Sequence, residues 1–192
     1  MAAHMVLQAA AFGLLAAMVV ASSGANEENY DFKELLTEGK VLWVFNTTEP
    51  GSVSCRKDSI LTVKDVAVTF ERSFKNNSIV RKENLTGKLI NWYIEVSPKY
   101  YDTLEINDTQ GELETQEILE YLNEEKTCAV VKVMKVKEYS DGTTGIWRDL
   151  RLSNDAVEQA VPPECFQKFE QAIQFSKTRP RTAYDSGCRG SA

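Results

Sequence analysis

Val66-Ala67-Val68-Thr69-Phe70-Glu71-Arg72-Ser73-Phe74 decides the fold class. Val66, Val68, Phe70 and Phe74 alternate with polar residues at a period of two, the signature of a strand with one buried face. Asp65 precedes the run and Asn76-Asn77 punctuates it. Outward from this strand the same grammar repeats. Val41-Leu42-Trp43-Val44-Phe45 is a β-rich run stopped by Pro50-Gly51, and Ile90, Trp92, Ile94 and Val96 alternate with Asn91, Tyr93 and Glu95 before Pro98. Tyr100 to Asn107 predicts another strand. Leu113 to Leu122 is read as strand, although its apolar spacing also suits a helix. Cys128 to Val136 is β-branched, with a suggested bulge near Val133-Met134 where the alternation slips. It leads through a Ser140 to Gly145 turn into Ile146 to Leu152. The Asp141-Gly142-Thr143 triplet within that turn carries the residue types of an aspartic protease motif in the wrong order, so it is read as a hairpin turn.

Two short helices frame the strands. Asp31 to Glu38 places Phe32, Leu35 and Leu36 on one apolar face behind an acidic first turn. After Pro162-Pro163, Glu164 opens a stretch in which Cys165, Phe169, Ala172 and Ile173 share a helical face. Seven or eight antiparallel strands with these helices predict an all-β fold with minor helix. The expected architecture is an eight-stranded antiparallel up-and-down barrel with a short N-terminal helix and a C-terminal helix, whose closure removes exposed sheet edges. An immunoglobulin-type sandwich is the rival. It requires two cysteines on facing strands, whereas Cys165 and Cys188 fall in or after a helix.

The N-terminus assigns a compartment. Met5 to Ala21 is an almost unbroken apolar run followed by Ser22-Ser23-Gly24-Ala25, which predicts a signal peptide over residues 1–25 and a secreted, single-domain chain over 26–192. His4, the only histidine of the chain, lies in that leader. A mature protein without histidine has no Ser-His or Cys-His nucleophile pair, no imidazole base and no His-ligated zinc. We therefore expect no catalytic residue, no metal, no cofactor and no enzyme. The 22 basic and 28 acidic residues give a net charge of -6 without a dominant single-sign block, which argues against nucleic acid as a partner. No membrane association is expected of the mature chain, which is read as a monomer.

Cys55, Cys128, Cys165 and Cys188 form an even set in an oxidising compartment, and two disulfides with three possible pairings follow. Sequons at Asn46, Asn76, Asn84 and Asn107 are candidate glycosylation sites, expected on exposed loops or strand ends.

From Cys128 to Cys188 the chain carries a strand opening on Cys-Ala-Val-Val, a Trp147 strand, Val-Pro-Pro-Glu-Cys165, Phe-Gln-Lys-Phe-Glu, Thr-Ala-Tyr184 and the terminal cysteine. In this order it resembles the tick salivary lipocalins, the histamine-binding protein family. The resemblance implies bridges Cys55–Cys188 and Cys128–Cys165, which would close loops favoured by chain entropy. It further implies a ligand-binding barrel that sequesters a small host inflammatory mediator. Two departures matter. The Gly-x-Trp of general lipocalins is replaced by Gly39-Lys40-Val41-Leu42-Trp43. Gly145 stands two residues before Trp147, where many relatives carry a glutamate that pairs with an amine. A buried ammonium without a carboxylate is costly, so a lipid mediator such as a leukotriene or a sterol is favoured over histamine or serotonin. Were an amine to bind, Glu71, Glu95 or Asp102 would be the candidate partners.

Trp43, Phe45, Phe70, Phe74, Trp92, Tyr101 and Trp147 are the candidate ligand-lining aromatics, and Arg72, Arg148 and Tyr93 the polar handles. The alternative function is a barrel scaffold whose surface loops bind a host protein such as a complement component.

Overall fold

A computed structural model describes residues 29–93, 99–136, 145–175 and 179–191. The expected leader, the 141–143 turn and the stretch 94–98 with Glu95 lie outside them. Eight antiparallel strands run β1 (Val41–Thr47), β2 (Ser54–Lys64), β3 (Ala67–Asn76), β4 (Ile79–Ile90), β5 (Thr103–Asn107), β6 (Leu113–Leu122), β7 (Cys128–Lys135) and β8 (Ile146–Ser153). Each pairs with the next in sequence, and β1 pairs with both β2 and β8, so the sheet closes on itself as an up-and-down barrel. A short β9 (Arg181–Thr182) adds to β1 opposite Asn46 and Thr47.

The register defines the interior. Phe70 faces Leu85, Leu104 faces Glu117, and Val133 faces Trp147, so one phase of every strand points inward. Phe32 and Leu35 of α1 (Phe32–Leu35) are fully buried and pack with Leu42, Leu89, Leu104 and Leu122, which closes one end of the barrel with apolar side chains. Asp31 caps this helix through Lys33 N–H at 2.8 Å. The C-terminal ends of β1, β3, β5 and β7 lie at the other, open end.

A second apolar cluster sits outside the barrel wall. There α3 (Pro163–Ile173) lays Cys165 and Phe169 over Cys128, Val130, Leu150 and Leu152, beside α2 (Asn154–Glu158). The Cys128–Cys165 bridge ties α3 to β7, and Cys55–Cys188 ties the 3-10 turn Ser186–Ser191 to β2.

Three sequence expectations are corrected. The strand expected over Ile90 to Val96 is not there in the described part: β4 ends at Ile90, and Asn91 to Tyr93 form a turn in which Asn91 Oδ1 accepts from Tyr93 N–H at 3.0 Å. Strand β2 was not foreseen, because its inward residues include Arg56 and Asp58 rather than a hydrophobic series. The bulge expected near Val133-Met134 is absent, since β7 and β8 stay in continuous register from Cys128 to Met134. Register shifts fall instead at Val44/Asn46, at two places in β2, at Ile106/Asn107 and at Leu119/Tyr121.

Candidate functional site

The middle of the barrel is a layer of buried charge. From β3, Arg72 grips Asp58 of β2 with two bonds, Nε to Oδ1 and Nη2 to Oδ2, both 2.7 Å, and reaches Glu117 of β6 at 3.0 Å. From β8, Arg151 donates to the second oxygen of Glu117 at 2.6 Å and to Asp149 at 3.3 Å. Thr47 Oγ1 donates to Asp149 at 2.6 Å. Glu117 is wholly buried, and burial by itself would raise its pKa. The guanidinium groups of Arg151 and Arg72 overcome that and hold it down to about 2. Burial opposes charge on both arginines as well, yet their carboxylate partners keep each above the ordinary arginine range. Asp149 behaves differently: burial raises its pKa, and Arg151, already engaged by Glu117 at the shorter distance, does not fully offset it. Apart from Arg151 Nε, which has no protein partner, the layer is bonded across four strands, and removing one member leaves an uncompensated charge.

Above this layer, at the open end, lies a cavity of about 210 Å³ lined by Glu49, Val53, Arg56, Arg72, Phe74, Glu83, Glu114, Thr115, Lys135 and Trp147. It is smaller than the roughly 300–1,000 Å³ usual for ligand sites, because the charge layer and the α1 plug fill the rest of the barrel. Arg56 donates to Glu49 at 2.8 Å, and Arg181 Nη2 approaches the other Glu49 oxygen at 3.7 Å. Three polar atoms of the lining, Trp147 Nε1, Thr115 Oγ1 and Arg56 Nε, are buried without a protein hydrogen-bond partner. Gly145 continues the inward phase of Trp147, and its carbonyl accepts from Lys135 N–H at 2.8 Å. Where an amine-pairing acid was considered, the structure thus has no side chain and a lysine across the ladder. Larger clefts of about 320, 540 and 420 Å³ lie on the outer surface, two of them beside Tyr121 and Lys168. They lie outside the barrel, and none is walled by converging inward strand faces.

The candidate residues divide sharply. Trp147 and Phe74 line the cavity. Phe70 is buried lower in the interior, with the Arg72 guanidinium over its ring at 5.4 Å. Arg72 faces in as expected, but its donors are largely engaged by Asp58 and Glu117. Tyr101 packs at the closed end beside the α1 plug, under the Lys33 ammonium.

Trp43 and Phe45 face outward, contrary to expectation. Trp43 packs edge-on to Tyr184 and donates from Nε1 to Asn154, and Phe45 packs on Phe166 and Tyr184. The phase of β1 explains this, because Leu42 and Val44 point in and the bulge after Val44 brings Thr47 in next. Trp92 is 41% exposed and Tyr93 75% exposed in the turn after β4, at the end away from the cavity. Arg148 also faces out, paired with Glu120 at 2.6 Å. It adjoins Trp147 in a strand, so the two cannot share a face.

Of the suspected acids, Glu71 lies toward Lys82 on the outer face and Asp102 accepts from Trp92 N–H. The acids of the buried charge layer are Asp58, Glu117 and Asp149, and Glu49, Glu83 and Glu114 line the cavity above it. Strand phase could have found two of them, since Glu117 alternates with Leu119 and Asp149 with Trp147. Asn84 is exposed on β4 and Asn76 and Asn107 close their strands, but Asn46 lies inside β1 between β8 and β9 with its Oδ1 buried, so it is not the open position its sequon suggested. Among the described residues no group of three or more His, Cys, Asp or Glu is placed to hold a metal ion.

No protein-family model matches the chain, and no curated protein matches it in sequence. Solved structures do. Lobster apocrustacyanin A1 superposes with a TM-score of 0.55 at 12% identity, over 80% of this chain and 79% of that one. Bovine odorant binding protein, as a deswapped triple mutant, gives 0.52 at 12% over 78% and 93%. A mutant of LTBP1 in complex with leukotriene C4 gives 0.52 at 10% over 85% and 93%. The protein therefore has the lipocalin fold. At these identities the likeness extends to the barrel and its helices alone.

Proposed function

We propose that this chain is a secreted lipocalin that sequesters a small amphipathic host mediator at the open end of its barrel and lowers its free concentration without altering it. The carrying observation is the cavity itself, where Phe74, Val53 and Trp147 give apolar wall beside the Arg56 and Arg72 guanidinium groups. Binding follows from burial of apolar ligand surface, at roughly 25 cal/mol per Å², with polar groups fixing orientation. Two disulfides in an all-β chain suit an oxidising, extracellular compartment. The host-directed role is supported by the resemblance of the Cys128 to Cys188 stretch to the tick salivary lipocalins.

A lipid mediator suits the site better than a biogenic amine. The barrel's buried carboxylates are already bonded to arginines, and Gly145 offers an ammonium nothing. Volume separates the lipids: a flexible leukotriene can enter by one end and lay its remainder across the rim, whereas a rigid sterol does not fit about 210 Å³. Titration calorimetry with a leukotriene and with histamine is the test. Saturable one-to-one leukotriene binding without histamine binding supports the proposal; histamine binding alone, or neither, contradicts it. A second reading, capture of a host protein by the outer loops, is favoured by Ile79 and Val80, which stand 61% and 40% exposed on the β3–β4 hairpin. Capture of a plasma protein that is lost in Ile79→Lys would support it.

A further inference from the structure

The open-end cavity is walled by three acids, Glu49, Glu83 and Glu114, and three bases, Arg56, Arg72 and Lys135. Formal charge is balanced, so net attraction does not choose the sign of a ligand. Hydrogen-bond stoichiometry does. Trp147 Nε1 and Arg56 Nε carry hydrogens and no lone pair, so each can only donate, and neither has a protein partner. Thr115 Oγ1 is a third open atom, able to donate or accept. Trp147 and Thr115 are each only 6% exposed, so bulk solvent reaches them poorly. On the acid side, Glu49 is already bonded to Arg56 at 2.8 Å. Glu83 and Glu114 add acceptors to the wall but stand partly exposed, where water serves them, so the groups left short are the two buried donors.

We infer that this cavity recognises the carboxylate head of its amphiphile, read by the indole N–H of Trp147, the Nε–H of Arg56 and the hydroxyl of Thr115. This rests on the open-end cavity being the ligand site. A carboxylate presents two acceptor oxygens with about four lone-pair directions, enough for all three donors. An ammonium presents three donors and no acceptor, so even when paired with Glu83 or Glu114 it leaves both obligate donors open. The alkyl portion would run along Phe74 and Val53 toward the rim.

The test uses three probes with one chain length: decanoic acid, methyl decanoate and decylamine, titrated calorimetrically into the disulfide-intact protein at about pH 7, where the acid is ionised and the amine protonated. Decanoic acid is expected to bind about tenfold or more tighter than the ester, and decylamine weakest, since charge-assisted bonds are roughly twice as strong as neutral ones. Trp147→Phe keeps the ring and removes the donor. It should weaken decanoic acid by about tenfold and leave decylamine unchanged, and Thr115→Val supplies a second variant should the first fold poorly. Decylamine binding as tightly as decanoic acid would overturn the carboxylate assignment while leaving the cavity as the site. Full acid affinity retained in both folded variants would overturn it too. Binding of none of the three probes would remove the cavity reading itself, and this inference with it.

Discussion

Replacing Glu117 by glutamine keeps the side-chain shape and removes the charge that joins Arg72 to Arg151 across the barrel. The structure sets the size of the effect. The Glu117 carboxyl is held at about 2 against an ordinary 4.5, and at 1.36 kcal/mol per pKa unit this difference corresponds to about 3 kcal/mol of folding free energy. Breaking one partner out of a buried ion pair costs about 3–5 kcal/mol in general. The low end applies here, because Arg72 keeps Asp58 at 2.7 Å and Arg151 keeps Asp149 at 3.3 Å. The pH dependence carries a definite sign. A depressed carboxyl contributes fully above its unfolded pKa and loses that contribution as pH falls through the folded value, so the window runs from about 4.5 down to about 2. Urea unfolding of wild type and Glu117→Gln across pH should therefore show a gap of about 3 kcal/mol near neutrality that closes through that acid window. A neutral-pH gap below about 0.5 kcal/mol, the scale of an inert surface change, would refute the charge-layer argument. So would a gap that stayed constant down to about pH 2, which would trace the loss to shape rather than to ionisation.

Asp149→Asn should act with the opposite sign: burial raises the Asp149 pKa, so its ionisation opposes folding, and the stability that wild type loses as pH rises through that raised value should be absent from the variant in the same urea series. Gly87→Ala should destabilise by about 1–3 kcal/mol in thermal unfolding, because a Cβ there would lie 2.7 Å from Leu104 Cδ1 and 3.3 Å from the Glu105 carbonyl. Trp92→Ala, although Trp92 was a candidate lining residue, should leave leukotriene affinity within about twofold in calorimetry, since the side chain lies in an exposed turn away from the cavity.

Strand alternation was strong enough to reveal the barrel, but it failed where the interior is charged. Val68 and Phe70 announce β3, and Phe32, Leu35 and Leu36 announce the plug, because each buries an apolar face of regular period. Strand β2 was invisible for the reason that makes it interesting: Arg56 and Asp58 occupy inward positions and imitate a solvent-facing run. Bulges defeated the reading elsewhere. The shift after Val44 replaces Asn46 by Thr47 on the inner face, so the β1 aromatics Trp43 and Phe45 pack outside, under the C-terminal segments. Composition marks Trp43 as apolar but does not say which of two apolar surroundings receives it, the barrel interior or the outer layer built by α3 and the disulfides. For β8 the phase was available, since Trp147, Asp149 and Arg151 alternate. Arg148, next to Trp147, falls on the opposite face under the two-residue period of a strand. Two buried arginines against three buried acids cannot be read from a sequence until all their strands are in register.

The three tryptophans make one measurement decisive. Trp43 Nε1 is bonded to Asn154 at 3.1 Å outside the barrel, Trp92 is solvent-exposed, and Trp147 Nε1 sits unpartnered in the wall of the cavity. In a ¹⁵N–¹H correlation spectrum of uniformly labelled protein, each indole gives a separate side-chain resonance, assignable by single Trp→Phe variants. Addition of a leukotriene should move the Trp147 indole resonance saturably while those of Trp43 and Trp92 stay in place. A spectrum in which the Trp147 resonance is unmoved at saturation, or in which Trp43 or Trp92 moves instead, would contradict the assignment of the open-end cavity as the binding site.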